Sequence, residues 1–324
     1  MNKRISWIDY AKGIGIILVV YGHVLQGLCK VGLDISPKIF SFSNSLVYGF
    51  HMPLFFLLSG MFAESWLAKY KTSSAIKAKV FSILWPYLVW SLVQGAVSVG
   101  VSDYTNYPMT WPTVLKRIPL SPFLQFWFLY VLFIQHMLYL VLRRYLNPKA
   151  IAIVSLALYI VCPWLNFWVT ERVFRFFIYF CLGALINRNS IESVLSKFDN
   201  KWGFSAAILG FAGINALYLS GKVDFPQFSV IIALAGVILT ILVSHRLAQS
   251  SILQWLRVVG TLSMPIYLLH VMSGAAARII LLYCFKVRDV YIHAILGCAT
   301  GVILPVLFYK AMTKIKANTL LFGR

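Results

Sequence analysis

The apolar stretch DYAKGIGIILVVYGHV, Asp9 to Val24, holds two residues that hydrocarbon does not tolerate idly, Lys12 and His23. Eleven positions separate them, about 16 Å along a helix. An imidazole titrates at about 6.5 in water, so His23 can take up or release a proton near neutral pH. An ammonium at Lys12 suits phosphate-type anions. Asp9 stands three residues before Lys12, a helical ion-pair spacing. That pair either anchors one helix end or sets a cation at a vestibule, and the residues alone leave both readings open.

Further ionisable groups fall inside apolar runs: His51, His136 and His270. Such groups in membrane segments mark functional sites, facing a bundle interior or a wet cavity. Each also has a plain packing role open to it, and His136 fits that role best. His270 ends the run SMPIYLLH, with Ser263 and Tyr267 on a related helical face. Gly22, just before His23, leaves room for a close neighbour. Glu171, Arg172 and Arg175 cluster at one end of another run, where they either snorkel or bind an anionic or sugar-bearing ligand. His245 and His293 read as interfacial.

The elements that must carry these residues are membrane helices. Of 324 residues, 60% are hydrophobic and 12% charged, with a mean hydropathy of +0.81. Soluble domains carry about 25% charged residues. A bilayer-crossing helix needs about 20 apolar residues. On that ruler ten spans are expected, at 11–29, 40–62, 80–101, 123–142, 150–169, 172–187, 203–220, 227–245, 258–281 and 290–311. The fold class is thus an all-α integral membrane protein, with 1–324 as one membrane-embedded domain. Basic residues gather on the side of the N-terminus, as at Lys69, Lys71, Arg143 and Arg144, so both termini are expected in the cytoplasm. The connection 102–122 reads as an ordered cap over the outer face.

Several classes drop out. The runs are continuous rather than alternating, which excludes a β-barrel. The net charge of +20 belongs to membrane orientation, and no basic-aromatic module remains for nucleic acid. The five cysteines form no CxxC pair and imply neither disulfides nor a zinc site. No metal-ligand spacing occurs. The basic start MNKR precedes no small-residue cleavage site, so the first span is expected to persist.

The segments DYAKGIGIILVVYGHV, FHMPLFFLLSGMF, WPYLVW, FWFLYVLF, FFIYFCLGALI and SMPIYLLH occur in that order. Together they resemble acyltransferase family 3, the integral membrane acyltransferases, over residues 5 to 310. The most similar branch is that of fucose 4-O-acetylase-like and surface-polysaccharide O-acetyltransferases. The family pattern places a basic residue, ten intervening positions and a histidine in the first span, met here by Lys12 and His23. The resemblance implies that His23 is the catalytic base, with Asp9 in the same motif. It implies donor binding by Lys12 and by Lys77 and Lys79, which stand where the family carries two arginines. His51, Ser59, Ser263, Tyr267 and His270 are the candidates for cavity wall and oxyanion donors. Arg172, Arg175 and Glu171 are the candidates for acceptor binding. The implied reaction moves an acyl group, acetyl by resemblance, from acyl-CoA to a hydroxyl of a surface glycan or lipid-linked sugar. Acetyl-CoA is then a co-substrate, no cofactor stays bound, and the site is a bacterial inner membrane. A base is needed because an alcohol attacks poorly until its proton is taken. The rival reading is a transporter or flippase for a polar or lipid-linked solute. Against it, no acidic residue sits in mid-span, as proton-coupled carriage requires.

Overall fold

The computed structural model describes residues 5–102, 109–122, 124–186, 191–220 and 228–323. Among them every regular element is helical, in an all-α integral membrane protein. The termini of the expected spans at 123, 187 and 227 lie outside the described residues. So do Lys3, Arg4, Arg188, Lys222 and Arg324, and positions 103–108 of the expected cap.

Among the described residues eight helical stretches are long and apolar enough to cross a bilayer. α1, Ser6–Lys30, carries Asp9 in its first turn and Lys30 in its last, each charge opposing the local helix dipole. Three helices follow within one stretch: α2, Pro37–Tyr48, α3, His51–Gly60, and α4, Ala63–Lys69. α5, Thr72–Lys79, runs through a π-turn, Val80–Leu84, into α6, Trp85–Gly100. α7, Trp111–Leu120, packs against α6 and precedes α8, Trp127–Leu142. After α11, Ile191–Phe198 in chain order, the remaining long spans are α12, Lys201–Leu219, and α13, Phe228–Ser250. α14, Gln254–Thr261, leads into α15, Ser263–Ile279; then come α16, Val290–Lys314, and the short α17, Asn318–Phe322. Two further expected spans differ in kind. α9, Pro148–Val161, is apolar but shorter, and α10, Trp168–Leu185, carries Glu171, Arg172 and Arg175 in its first turns.

Prolines decide where the spans break. Pro53 has no N–H to give the carbonyl of Gly49, and the helix parts at Gly49 and Phe50. Pro265 likewise cannot bond the carbonyl of Thr261, and α14 ends there before α15 begins. Pro86 follows the π-turn, whose wider ring relieves the clash a proline makes one turn back. Each break keeps a short non-α segment inside the bundle, the place where irregular backbone is tolerated in a membrane protein.

α1 is the hub, touching α2, α3, α13, α14, α15 and α16. Two contacts bring backbone against backbone. Gly260 of α14 lies on the carbonyl of Asp9 in α1. Gly60 of α3 faces the carbonyl of Phe180 in α10, and Gly183 of α10 faces that of Leu57, so that pair interlocks both ways. Membrane helices lack a hydrophobic drive to associate and depend on such small-residue approaches. Partly exposed polar groups are held too: Arg143 grips Glu64 through Nε and Nη2, at 2.8 and 3.1 Å, and the Tyr139 hydroxyl donates to the same carboxylate at 2.5 Å. A side chain at Gly183 meets backbone that cannot yield. Gly183→Val is therefore expected to cost about 1–3 kcal/mol, the usual range for overpacking. Thermal unfolding in detergent checks this, with Gly210→Val, whose Cβ meets open space, as the control near wild type.

Candidate active site

α1 presents His23 at half burial beside His270 of α15, with ring centroids 4.9 Å apart and planes at 72°. His23 Nδ1 lies 2.9 Å from the carbonyl of Val19 and 3.3 Å from His270 Nε2. His270 Nδ1 lies 2.8 and 3.1 Å from the carbonyls of Tyr267 and Ile266. A nitrogen against a carbonyl oxygen must carry the hydrogen. His270 is thus protonated on Nδ1 and bare on Nε2, and that lone pair accepts from His23 Nδ1–H. The network therefore assigns the free lone pair of a neutral His23 to Nε2. His270 orients the ring and faces any charge it gains.

His51, at the first position of α3, repeats the device, with Nδ1 2.5 Å from the carbonyl of Val47. Tyr48, the last residue of α2, stacks edge-on to His51 at 4.9 Å and stands 6.3 Å from His23. Its hydroxyl is buried with no hydrogen-bond partner among the described residues. Gly22 makes room for it, since a Cβ there would fall 3.0 Å from the phenol oxygen.

Two cavities flank this centre. One, of about 300 Å³, is lined by Lys12, Lys79, Ser59, Ser263 and His136. Its cations are held against aromatic faces, Lys12 Nζ 5.7 Å from the Phe62 ring and Lys79 Nζ 4.9 Å from Trp66. The other, of about 390 Å³, is lined by His23, Tyr48, His51, Glu171, Arg172 and Arg175. There Arg175 Nη2 lies 2.5 Å from Glu171 Oε1, and the Arg172 guanidinium lies 4.1 Å from the Trp168 ring and 5.3 Å from Trp127. Val19, Met52 and Tyr267 line both.

The structure therefore gathers most of the residues singled out in the sequence, separates two and occupies the hydroxyl of a third. Asp9 is buried at the α1–α14 contact, fourteen residues and about 21 Å of helix from His23, too far to touch it. Lys77 is exposed and lines neither cavity, while Lys79, half a turn on, lines one. The Tyr267 hydroxyl already donates to the carbonyl of Gln125, which removes it as an oxyanion donor. His136 is packed between Trp66 and Phe180, as its packing role anticipated, and also meets the first cavity. His245 and His293, expected at the interface, are instead buried, one 3.2 Å from Asp199 and the other 2.9 Å from the carbonyl of Val287. Sequence reasoning missed Tyr48. Its spacing three residues before His51, just ahead of a Gly-Phe-His-Met-Pro break, was the available signal. Nitrogen spectra of histidine-labelled protein should show Nδ1 protonated and Nε2 bare in His23, His51 and His270, with the reverse in His293. Substitution of each ring assigns the signals.

Comparison with known proteins adds the chemistry. Nodulation protein NolL of Mesorhizobium japonicum is 29% identical over 189 residues, covering 57% of this chain and 48% of that protein. Nodulation protein NolL of Sinorhizobium fredii is 32% identical over 119 residues, covering 32% of this chain and 31% of that protein. The matched part thus spans half or less of these relatives' length. No solved structure matches. A family model described as an acyltransferase domain covers residues 5–310, nearly the whole chain, and the chain belongs to that family.

Proposed function

We propose that this chain is a membrane O-acyltransferase of the bacterial inner membrane, moving an acetyl group from acetyl-CoA to a sugar hydroxyl. The acceptor is a cell-surface glycan or its lipid-linked precursor. The observation that carries this reading is the His23–His270 pair, set where a cavity holding Arg172, Arg175 and Glu171 approaches one holding Lys12 and Lys79.

The lysine cavity takes the donor. Lys12 and Lys79 meet its phosphates, and the thioester end reaches His23 past Val19, Met52 and Tyr267. The acceptor sugar lies in the arginine cavity, where Arg172 and Glu171 bind its polar groups. His23 Nε2 takes the proton of the acceptor hydroxyl as its oxygen bonds to the thioester carbon. His270 Nε2 accepts from Nδ1–H and steadies the imidazolium. The oxyanion of the tetrahedral intermediate receives the Tyr48 hydroxyl hydrogen, a buried donor with no other partner. Collapse breaks the carbon–sulfur bond. The departing thiolate takes the proton back from His23, giving free CoA and an O-acetyl ester. In this topology ten helices cross the bilayer, with both termini in the cytoplasm on the donor side.

The experiment is label transfer from acetyl-CoA carrying radioactive acetyl into a membrane glycan extract, with thiol release counted in parallel. Wild-type protein should release thiol and label the extract, and His23→Ala should do neither. Tyr48→Phe keeps the ring and loses only the hydroxyl. It should turn over about 10²-fold slower, as removal of an oxyanion donor does, at unchanged donor KM. Lys79→Ala should raise donor KM, whereas Lys77→Ala should leave it near wild type. Solute uptake into vesicles without thiol release would favour the carrier instead.

A further inference from the structure

A third cavity, of about 380 Å³, also ends on His23 and His270. Its walls are unlike the other two. Val24 of α1, Val97 of α6 with Val101 just beyond it, and Ala275 and Ile279 of α15 make it predominantly aliphatic. Gly27 and Gly274 keep its bore open. Val97 and Ile280 are exposed, and both lie on helical stretches long and apolar enough to cross a bilayer. Lys30 and Arg278 stand at the end away from the histidines, about 10 Å along α1 from His23. Arg278 is fixed there by a 3.0 Å bond to the carbonyl of Gly27.

We propose that this cavity binds an aliphatic chain carried by the acceptor, so that the acceptor is a membrane amphiphile. The inference rests on the acyltransferase reading above. Three observations select this occupant. The cavity shares His23 and Gln26 with the arginine cavity, so one molecule can place its sugar in the first and its chain in the second. It shares no lining residue with the lysine cavity, which separates it from the donor. Its aliphatic walls come from helices apolar enough to cross a bilayer, from which an amphiphile arrives already oriented. A water-soluble sugar gains nothing from such walls, whereas every methylene of a chain buried there adds to binding.

The test uses full-length protein in lipid nanodiscs and a dodecyl glucoside bearing a photoreactive group in its chain. Irradiation followed by peptide mapping should place saturable label on Gln94–Val101 of α6 and Gly274–Ile279 of α15. Excess dodecyl glucoside should displace it and methyl glucoside should not. Ala275→Phe and Val97→Trp narrow the bore from opposite walls. Each should lower labelling about tenfold, the effect of ~1.4 kcal/mol of binding, at unchanged melting temperature. Label elsewhere, label that dodecyl glucoside fails to displace, or equal label in both variants would each overturn the proposal. Displacement by palmitoyl-CoA but not by dodecyl glucoside would give the chain to the donor and overturn it as well. Thiol release from acetyl-CoA is measured on the same wild-type sample. Its absence alongside saturable label would overturn the acyltransferase reading and leave the chain site standing.

Discussion

A polar group inside a bilayer must find its partner within the protein, and the four mid-span histidines meet that constraint in one way. His23, His51, His136 and His270 each set Nδ1 within about 3 Å of the carbonyl four residues back, those of Val19, Val47, Leu132 and Ile266. Within an unbroken helix that carbonyl already serves the ladder and has a second lone pair to give, while the carbonyl of Val47 stands at the break between α2 and α3. A buried donor left unmade costs about 1–3 kcal/mol, so the local bond decides which nitrogen keeps its hydrogen. One consequence reaches the chemistry. Every ring so held keeps a bare Nε2, and a bare nitrogen is what a base requires. Solvation and catalysis ask the same thing of His23.

The bond fixes the ring but not what surrounds it, and there the breaks in the helices matter. An unbroken second span would place Tyr48 and His51 in consecutive turns of one helix, with no freedom in their angle. The Gly49–Phe50 break brings both to the His23 face of α1, and Gly22 accepts the phenol. The π-turn after Lys79 acts similarly at the lysine cavity. Ser82 and Ile83 from that turn line the same cavity as Lys79, so the wider helical ring builds part of its wall. The glycine contacts between α3 and α10, and between α1 and α14, then hold these broken pieces at backbone distance. A bundle tied only by flexible side chains would let the two cavities drift apart.

How much of this could be read beforehand follows from the range of each signal. Apolar run length is local, so the helices were legible, down to the mid-span histidines. The class of helix was less so, because α10 carries its three charges where a length rule sees only an apolar run. Lys12 and His23 share one helix, and their relation needed only its rise per residue. His270 belongs to another helix 247 residues away. Its pairing with His23 depends on how α15 crosses α1, which no local pattern encodes. The same limit explains Asp9. Sequence proximity grouped it with Lys12, while its buried position is set by Gly260 of α14. Lys77 and Lys79 differ for a simpler reason: two residues on a helix point about 200° apart, so only one can face a given cavity.

The carrier reading fails on the placement of charge. A proton-coupled carrier needs an acid that can exchange protons as the bundle rocks. Glu64, the carboxylate nearest the bundle interior in the second span, is bound by both Arg143 nitrogens and the Tyr139 hydroxyl. Releasing it would break three charge-assisted bonds at once, each stronger than a neutral one. The imidazoles of His23, His51 and His270 sit where cavities of different chemistry converge. Cationic walls lie on one side, mixed charge with aromatic faces on another, and aliphatic walls on a third. A solute that crosses whole has no use for three unlike compartments. The proposed reaction does: it joins an anionic donor to an acceptor carrying both a sugar and a chain, with only the bond to be made lying between them.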